Sequence, residues 1–167
     1  MPSANSLPTR QKILSQPALR LRLRRLRRQR RRIVFTNGCF DVLHVGHIAI
    51  LEHAKQLGDV LVVGLNSDRS VRAIKGPSRP IMPQRERARV IAALACVDYV
   101  TLFHDETPLR LIQAVRPDIL VKGADWKADQ IVGHAFARRT VRIPLVPGRS
   151  TTDVITRILL RARRAHR

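Results

Sequence analysis

From Ile33 onward, short runs of apolar, largely β-branched residues alternate with stretches whose apolar residues recur at helical spacing. No other feature constrains the fold as tightly. Strands separated by helix-length crossovers pair in parallel, and a parallel sheet must be covered on both faces. The pattern predicts an α/β fold, a Rossmann-like open parallel sheet of about five strands with helices on both faces. The strands fall at 33–36, 59–65, 99–103, 118–122 and 141–145. Ile50, Leu51, Ala54 and Leu57 mark a helix over about 45–57, closed by Gly58. Val90, Ile91, Leu94 and Val97 mark a second helix, residues 108–115 a third, and a last one begins near Thr152. With 167 residues, 44% of them apolar, the chain fills one core and not two.

A formal net charge of +20 would point to nucleic acid if it were spread evenly. It is not. Residues 1–32 hold 11 basic and no acidic side chains, residues 33–156 hold 16 against all 12 acids, and residues 157–167 hold 5 against none. The ends therefore carry most of the excess, and nucleic-acid binding is expected only non-specifically, through basic tails. Four Phe, one Tyr and one Trp provide no platform for stacking bases. The organisation expected is a disordered leader (1–17), a basic amphipathic helix (18–32), a main domain (33–159) and a basic tail (160–167). In the second of these, leucines 19, 23 and 26 fall at helical spacing among nine arginines, the pattern of a helix packed by its leucines. Anionic membrane, nucleic acid or a mitochondrial transit signal are sharper alternatives for it. No apolar run approaches the ~20 residues of a membrane span. Cys39 and Cys96 form no disulfide framework, and a soluble, cytoplasmic protein is expected.

In open α/β sheets ligands bind beyond the carboxyl ends of the strands, so the first strand-to-helix turn carries most information. Residues 36–47, Thr-Asn-Gly-Cys-Phe-Asp-Val-Leu-His-Val-Gly-His, contain neither GxGxxG nor a GxxxxGK[ST] phosphate loop. They place His44 and His47 three apart on the first turn of a helix, where free N–H groups and the helix dipole already favour anions. A lone histidine is more often structural, and His-x-x-His can bind metal, but no third ligand stands at a useful spacing. Gly46 between the pair lets a ligand approach the backbone, which favours a polyphosphate.

His44-Val45-Gly46-His47 matches the signature of the (T/H)xGH nucleotidyltransferases, which this chain resembles from Ile33 to about Leu159. The blocks 36–41, 75–80 (Lys-Gly-Pro-Ser-Arg-Pro), 121–126 (Val-Lys-Gly-Ala-Asp-Trp) and 148–152 (Gly-Arg-Ser-Thr-Thr) look closest to the adenylyltransferases that make ADP-heptose. The resemblance implies transfer of AMP from ATP to a sugar 1-phosphate with release of pyrophosphate, Mg²⁺ being held mainly by the triphosphate and no metal by the protein. It implies catalytic roles for His44, His47, Lys75 and Arg87. It implies nucleotide contacts at Thr36, Asn37, Gly38, Phe40, Gly46, Lys122, Gly123, Ser150, Thr151 and Thr152. On the acceptor side it groups Asp41, Asp125 and Trp126.

Each of these residues also has a plainer role. Lys75 and Arg87 taken singly read as solvated charges, although a cation at a helix N-terminus is misplaced unless an anion is near. Ser150 can cap a helix and hold phosphate at once, Asp41 can organise its turn, Asp125 can cap, and Trp126 can belong to the core. Alternatives within the class are a glycerol-3-phosphate cytidylyltransferase or an FAD-forming adenylyltransferase. Outside it stands a nucleic-acid or anionic-lipid binding protein on a nucleotide fold. Only 32 residues precede the first strand, so a separate sugar kinase is expected to supply the acceptor, and a homodimer is expected.

Overall fold

The computed structural model describes residues 7–124, 131–144, 146, 148 and 150–165. Its sheet is all parallel: β1 (Ile33–Gly38), β2 (Val60–Asn66), β3 (Tyr99–Phe103), β4 (Ile119–Gly123) and β5 (Arg139–Ile143), in the order β3-β2-β1-β4-β5. Alternation along the central strands sends side chains to both faces, and both are buried. Ile33, Phe35, Val60 and Val62 pack with Leu19, Leu23, Leu111 and Ile112 on one side. Val34, Leu61, Val63 and Leu65 pack with Leu51, Ala54 and Ile91 on the other. Helices α2 (Gln16–Arg28) and α6 (Leu109–Val115) thus cover one face, and α3 (Val45–Gln56) and α5 (Gln84–Ala93) the other.

Three stretches differ from the pattern read in the sequence. Residues 7–17 have a defined place: helix α1 (Thr9–Lys12) precedes Leu14, whose N–H donates to Val100 O (2.9 Å). Lys12 Nζ donates to Val97 O (2.8 Å), and Gln16 Nε2 to Leu102 O (3.1 Å). The bonds from Leu14 and Gln16 run along β3, an edge strand, and cover part of its unpaired backbone, and Lys12 ties the segment to the residues just before it; such partners leave no apolar period to be read. Helix α4 (Asp68–Lys75), capped by Ser67 Oγ accepting Ser70 N–H (3.3 Å), is not among the helices the pattern marks, and it makes Lys75 the last residue of a helix. The fifth strand begins at Arg139 because pairing with β4 runs from Ile119↔Arg139 to Gly123↔Ile143. As an edge strand it tolerates exposed arginines at 139 and 142. The final helix, α7 (Thr151–Ala165), carries through most of the expected tail, with Ile158, Leu159 and Leu160 exposed. No helix among the described residues is long and apolar enough to cross a membrane.

Candidate active site

Because β1 pairs with β2 on one side and β4 on the other, α3, which follows β1, and α6, which leads into β4, cover opposite faces, and a crevice opens at the carboxyl end of β1. A cavity of about 600 Å³ lies there. Its walls include Thr36, Asn37, Gly38, Phe40, Asp41, His44, Gly46, His47, Lys75, Lys122, Gly123, Ser150, Thr151 and Thr152, which the sequence brings from four separate blocks. Lys122 Nζ donates to Asn37 Oδ1, tying the ends of β4 and β1 together. Asp125 and Trp126 lie outside the described residues.

His44 stands at the N-cap of α3 with extended backbone (φ −140°, ψ 167°) and makes no side-chain cap bond. Its carbonyl instead accepts the N–H of His47 (2.9 Å), which draws the two rings into a stack with centroids 3.8 Å apart. Phe40 closes the other side of His47, ring centroids 5.2 Å apart. Nδ1 of each histidine is buried without a hydrogen-bond partner. Burial, followed by the nearby His44 and Lys75 charges, lowers His47 from the ordinary 6.5 to about 4, against the opposing pull of Asp41. Burial also lowers His44, with Asp153 opposing. Both rings are therefore neutral near pH 7, and each has a buried polar atom whose hydrogen-bonding capacity is unmet, a costly state that an incoming anion or its bound proton relieves.

The turn before α3 is strained. Phe40 and Val42 both sit at positive φ (44° and 45°), and for β-branched Val42 that is a true outlier. Between them Asp41, 2% exposed, locks the conformation: its carboxylate accepts Ile81 N–H (2.9 Å), Met82 N–H (3.0 Å) and Arg79 Nη1 (3.2 Å). Burial alone would raise its pKa, but the two backbone N–H groups and Arg79 outweigh it and hold the carboxyl below its usual range. The carboxylate expected on the acceptor side is thus spent on the 79–82 loop.

Arg87 does not line the cavity. Its side chain is fully buried and donates to Met82 O (2.9 Å), Asn66 O (2.9 Å), Asp68 Oδ1 (2.7 Å) and Cys39 O. The anion that makes a cation tolerable in the first turn of α5 is Asp68, at the start of α4, and not a phosphate. The guanidinium joins the β1–α3 turn, the end of β2, α4 and the 79–82 loop. Cys39 is a small filler of that turn, and burial pushes its thiol pKa up.

At α7, Ser150 Oγ accepts Asp153 N–H (3.1 Å) and its own N–H donates to Asp153 Oδ2 (3.0 Å), a reciprocal cap. Thr151 Oγ1 donates to Asp41 O (2.8 Å). Both hydroxyls are committed to structure, so what α7 presents to an anion is its first-turn N–H groups, which have no intrahelical acceptor, and Thr152. The cavity wall also includes Asn66, Glu106, Thr107, Pro108, Ile131 and Val132, which the sequence reading missed. Asn66 ends β2 and residues 106–108 follow β3, so the strand-end rule applied to every strand would have found them.

Comparison with known proteins gives one direction. The Cytidylyltransferase-like family matches residues 35–157. The bifunctional protein HldE of Syntrophotalea carbinolica is 53% identical over 152 residues, 89% of this chain and 31% of that protein. HldE of Methylobacillus flagellatus is 49% identical over 160 residues, 93% of this chain and 33% of that protein. The chain thus spans about a third of the length of these curated relatives. Among solved structures, a lipopolysaccharide core biosynthesis protein from Thermoplasma volcanium matches 70% of this chain and 97% of its own at 34% identity, with a TM-score of 0.57. Pantoate-beta-alanine ligase of Francisella tularensis shares the fold alone, at 16% identity and a TM-score of 0.58.

Proposed function

Since the chain belongs to the cytidylyltransferase-like family, we propose that it is an adenylyltransferase joining AMP from ATP to heptose 1-phosphate, giving ADP-heptose and pyrophosphate for the lipopolysaccharide core. The observation that carries this reading is the stacked pair of half-buried, neutral imidazoles, each with a buried and unpartnered Nδ1, at the opening of α3, in a cavity at the sheet's switch point. An oxygen of the sugar phosphate attacks the α-phosphorus in line, one P–O bond forms, the bond to the β-phosphate oxygen breaks, and pyrophosphate leaves with the electron pair. The nucleophile is already an anion, so the barrier is one of alignment and charge crowding. His44 and His47 donate hydrogen bonds to charge growing on the α- and β-phosphates. Lys75, Lys122 and the first-turn N–H groups of α3 and α7 supply the remaining positive potential. No group of three or more His, Cys, Asp or Glu among the described residues is placed to hold a metal. Mg²⁺ would be carried mainly by the triphosphate, whose charge it neutralises.

HldE is named bifunctional, and this chain matches about a third of it; the heptose 1-phosphate acceptor would be made in the cytoplasm by a sugar kinase activity acting before this one. Adenine is favoured over cytosine because the cytidylyltransferase-type Arg-Thr-Glu-Gly stretch is replaced here by Leu145-Val146-Pro147-Gly148-Arg149, which lacks the paired charges for cytosine's polar edge. The test is pyrophosphate release from ATP and CTP competing at equal concentration with heptose 1-phosphate. Acceptor-dependent release, with ATP strongly preferred, is expected. Equal or greater use of CTP overturns the choice of base, and hydrolysis independent of acceptor overturns the reaction.

A further inference from the structure

At the opposite end of the sheet, where the strands begin, lies a second cavity of about 760 Å³. Its rim is built from the residues that lead into three strands: Arg30, Arg31 and Arg32 before β1, Arg116 before β4, and Arg138 before β5, with Arg27 beside them on α2. We infer that these six arginines form a second anion site for a soluble ligand carrying two or more linked phosphates. The inference does not depend on the activity proposed above.

The local carboxylates do not balance this charge. Asp118, the one acid in the cavity wall, accepts Ile33 N–H (2.8 Å) and lies 3.4 Å from Arg138 Nε. Asp59, nearby, accepts Arg32 N–H (2.7 Å) and stands 3.9 Å from the guanidiniums of Arg31 and Arg32. Two carboxylates, both already bonded to backbone, face six guanidiniums. Arg27 is accounted for by the fold, since Nη2 donates to Val115 O and Arg116 O at the end of α6. Burial holds its pKa down and Arg116 and Arg138 add to the effect, against Asp118. Of the other five, Arg31, Arg32 and Arg138 make only the exposed ion pairs just described, with side chains 53%, 66% and 86% exposed.

Two of them also occupy backbone positions that suit a different residue. Arg30, beyond the C-cap of α2, has φ 56°, and Arg116, the C-cap of α6, has φ 42°. Glycine or asparagine takes such helix-ending positions without strain. Arginine at both, in one cavity, is what a site for phosphates would retain, because the guanidinium fork matches phosphate oxygens in bidentate fashion. The arginines line a concavity of small-ligand size and not a plane or an extended stripe, which favours a soluble polyanion over a membrane or a duplex. Pro117 and half-exposed Phe136 add an apolar wall for a ring or carbon portion beside the phosphates.

The probe is inorganic triphosphate, titrated calorimetrically into the wild type, a Lys75→Gln variant and a triple variant, R30N/R116N/R138Q. Asparagine keeps the left-handed backbone, Arg27 is untouched, and relief of like-charge crowding should leave the triple variant's melting temperature at or above that of the wild type. The expected result is a binding equivalent that survives Lys75→Gln and is weakened at least about tenfold in the triple variant. The inference is overturned if the triple variant binds triphosphate as the wild type does. It is equally overturned if anionic phosphatidylglycerol vesicles or duplex DNA bind this face and triphosphate does not displace them.

Discussion

Replacing Arg87 by Met keeps most of the buried aliphatic stem and removes the guanidinium. Three backbone carbonyls (Met82, Cys39, Asn66) and the Asp68 carboxylate lose their donor together. A part-buried carbonyl left unsatisfied costs about 1 kcal/mol at the low end of the range, so the three cost about 3. Asp68 keeps a quarter of its side chain in water, so its loss adds only about 1 kcal/mol. A total of about 4 kcal/mol in a chain of this size lowers the melting temperature by about 8–16 °C. Far-UV circular dichroism measures that fall, and pyrophosphate release well below the new midpoint measures activity. Turnover of the molecules still folded should drop less than about tenfold, with KM rising as the cavity walls loosen. Arg87→Lys, with one ammonium for four acceptors, should recover part of the midpoint and not all of it. An Arg87→Met protein that melts within about 2 °C of the wild type yet has lost turnover would refute the argument, because the guanidinium would then be serving the triphosphate.

His44→Ala and His47→Ala should each lower turnover by roughly 10²-fold or more while leaving the melting temperature nearly unchanged, since neither Nδ1 has a partner to lose; normal turnover in either variant would show that the ring is structural. His47 at about 4 against 6.5 means that between those values the unfolded chain takes up a proton the folded chain refuses. Stability is therefore undiminished above about pH 6.5 and falls as the pH drops toward 4, and urea midpoints at pH 7 and pH 5 should draw closer together in His47→Gln; an equal gap in both proteins counts against the buried, neutral ring. For Asp41 the sign is opposite in origin, because its depressed pKa gives stability that is present above the unfolded value and lost as the pH falls through the folded one. Asp41→Asn should lower the melting temperature at pH 7 by about 3–6 °C, and an unchanged midpoint would mean that the carboxylate is not holding the 79–82 loop.

The sheet and most of its helices were legible because burial on both faces imposes a local period. Val34, Leu61 and Val63 alternate with Ile33, Val60 and Val62, and Leu51 and Ala54 recur on one face of α3. The cavity was legible for a related reason: residues 36–47, 122–123 and 150–152 sit at strand ends or helix starts, which a parallel fold gathers at one edge. What escaped were elements held by backbone hydrogen bonds, such as residues 7–17 along β3, where Leu14 N–H pairs with Val100 O across a separation no pattern records. Ser150 and Thr151 lie in the cavity wall, but which groups they present is decided by Asp153 and by the carbonyl of Asp41, a contact made 110 residues away.

Lys75 and Arg87 show where this kind of reading stops. Both are basic, both stand near a helix terminus, and the resemblance assigns both to the triphosphate. The structure separates them by chemistry that composition conceals. Lys75 ends α4, remains exposed, and lines the cavity, so its charge is available to a ligand. Arg87 has a planar fork able to bridge several acceptors at once, and the fold uses it to join Cys39, Asn66, Asp68 and Met82, the first of them 48 residues from Arg87. Lysine could not span them, and so arginine at that position marks a junction between the cavity's walls. Its influence on the reaction would then pass through the placement of the β1–α3 turn, where Phe40 and Val42 are held at positive φ and His44 is aimed into the cavity.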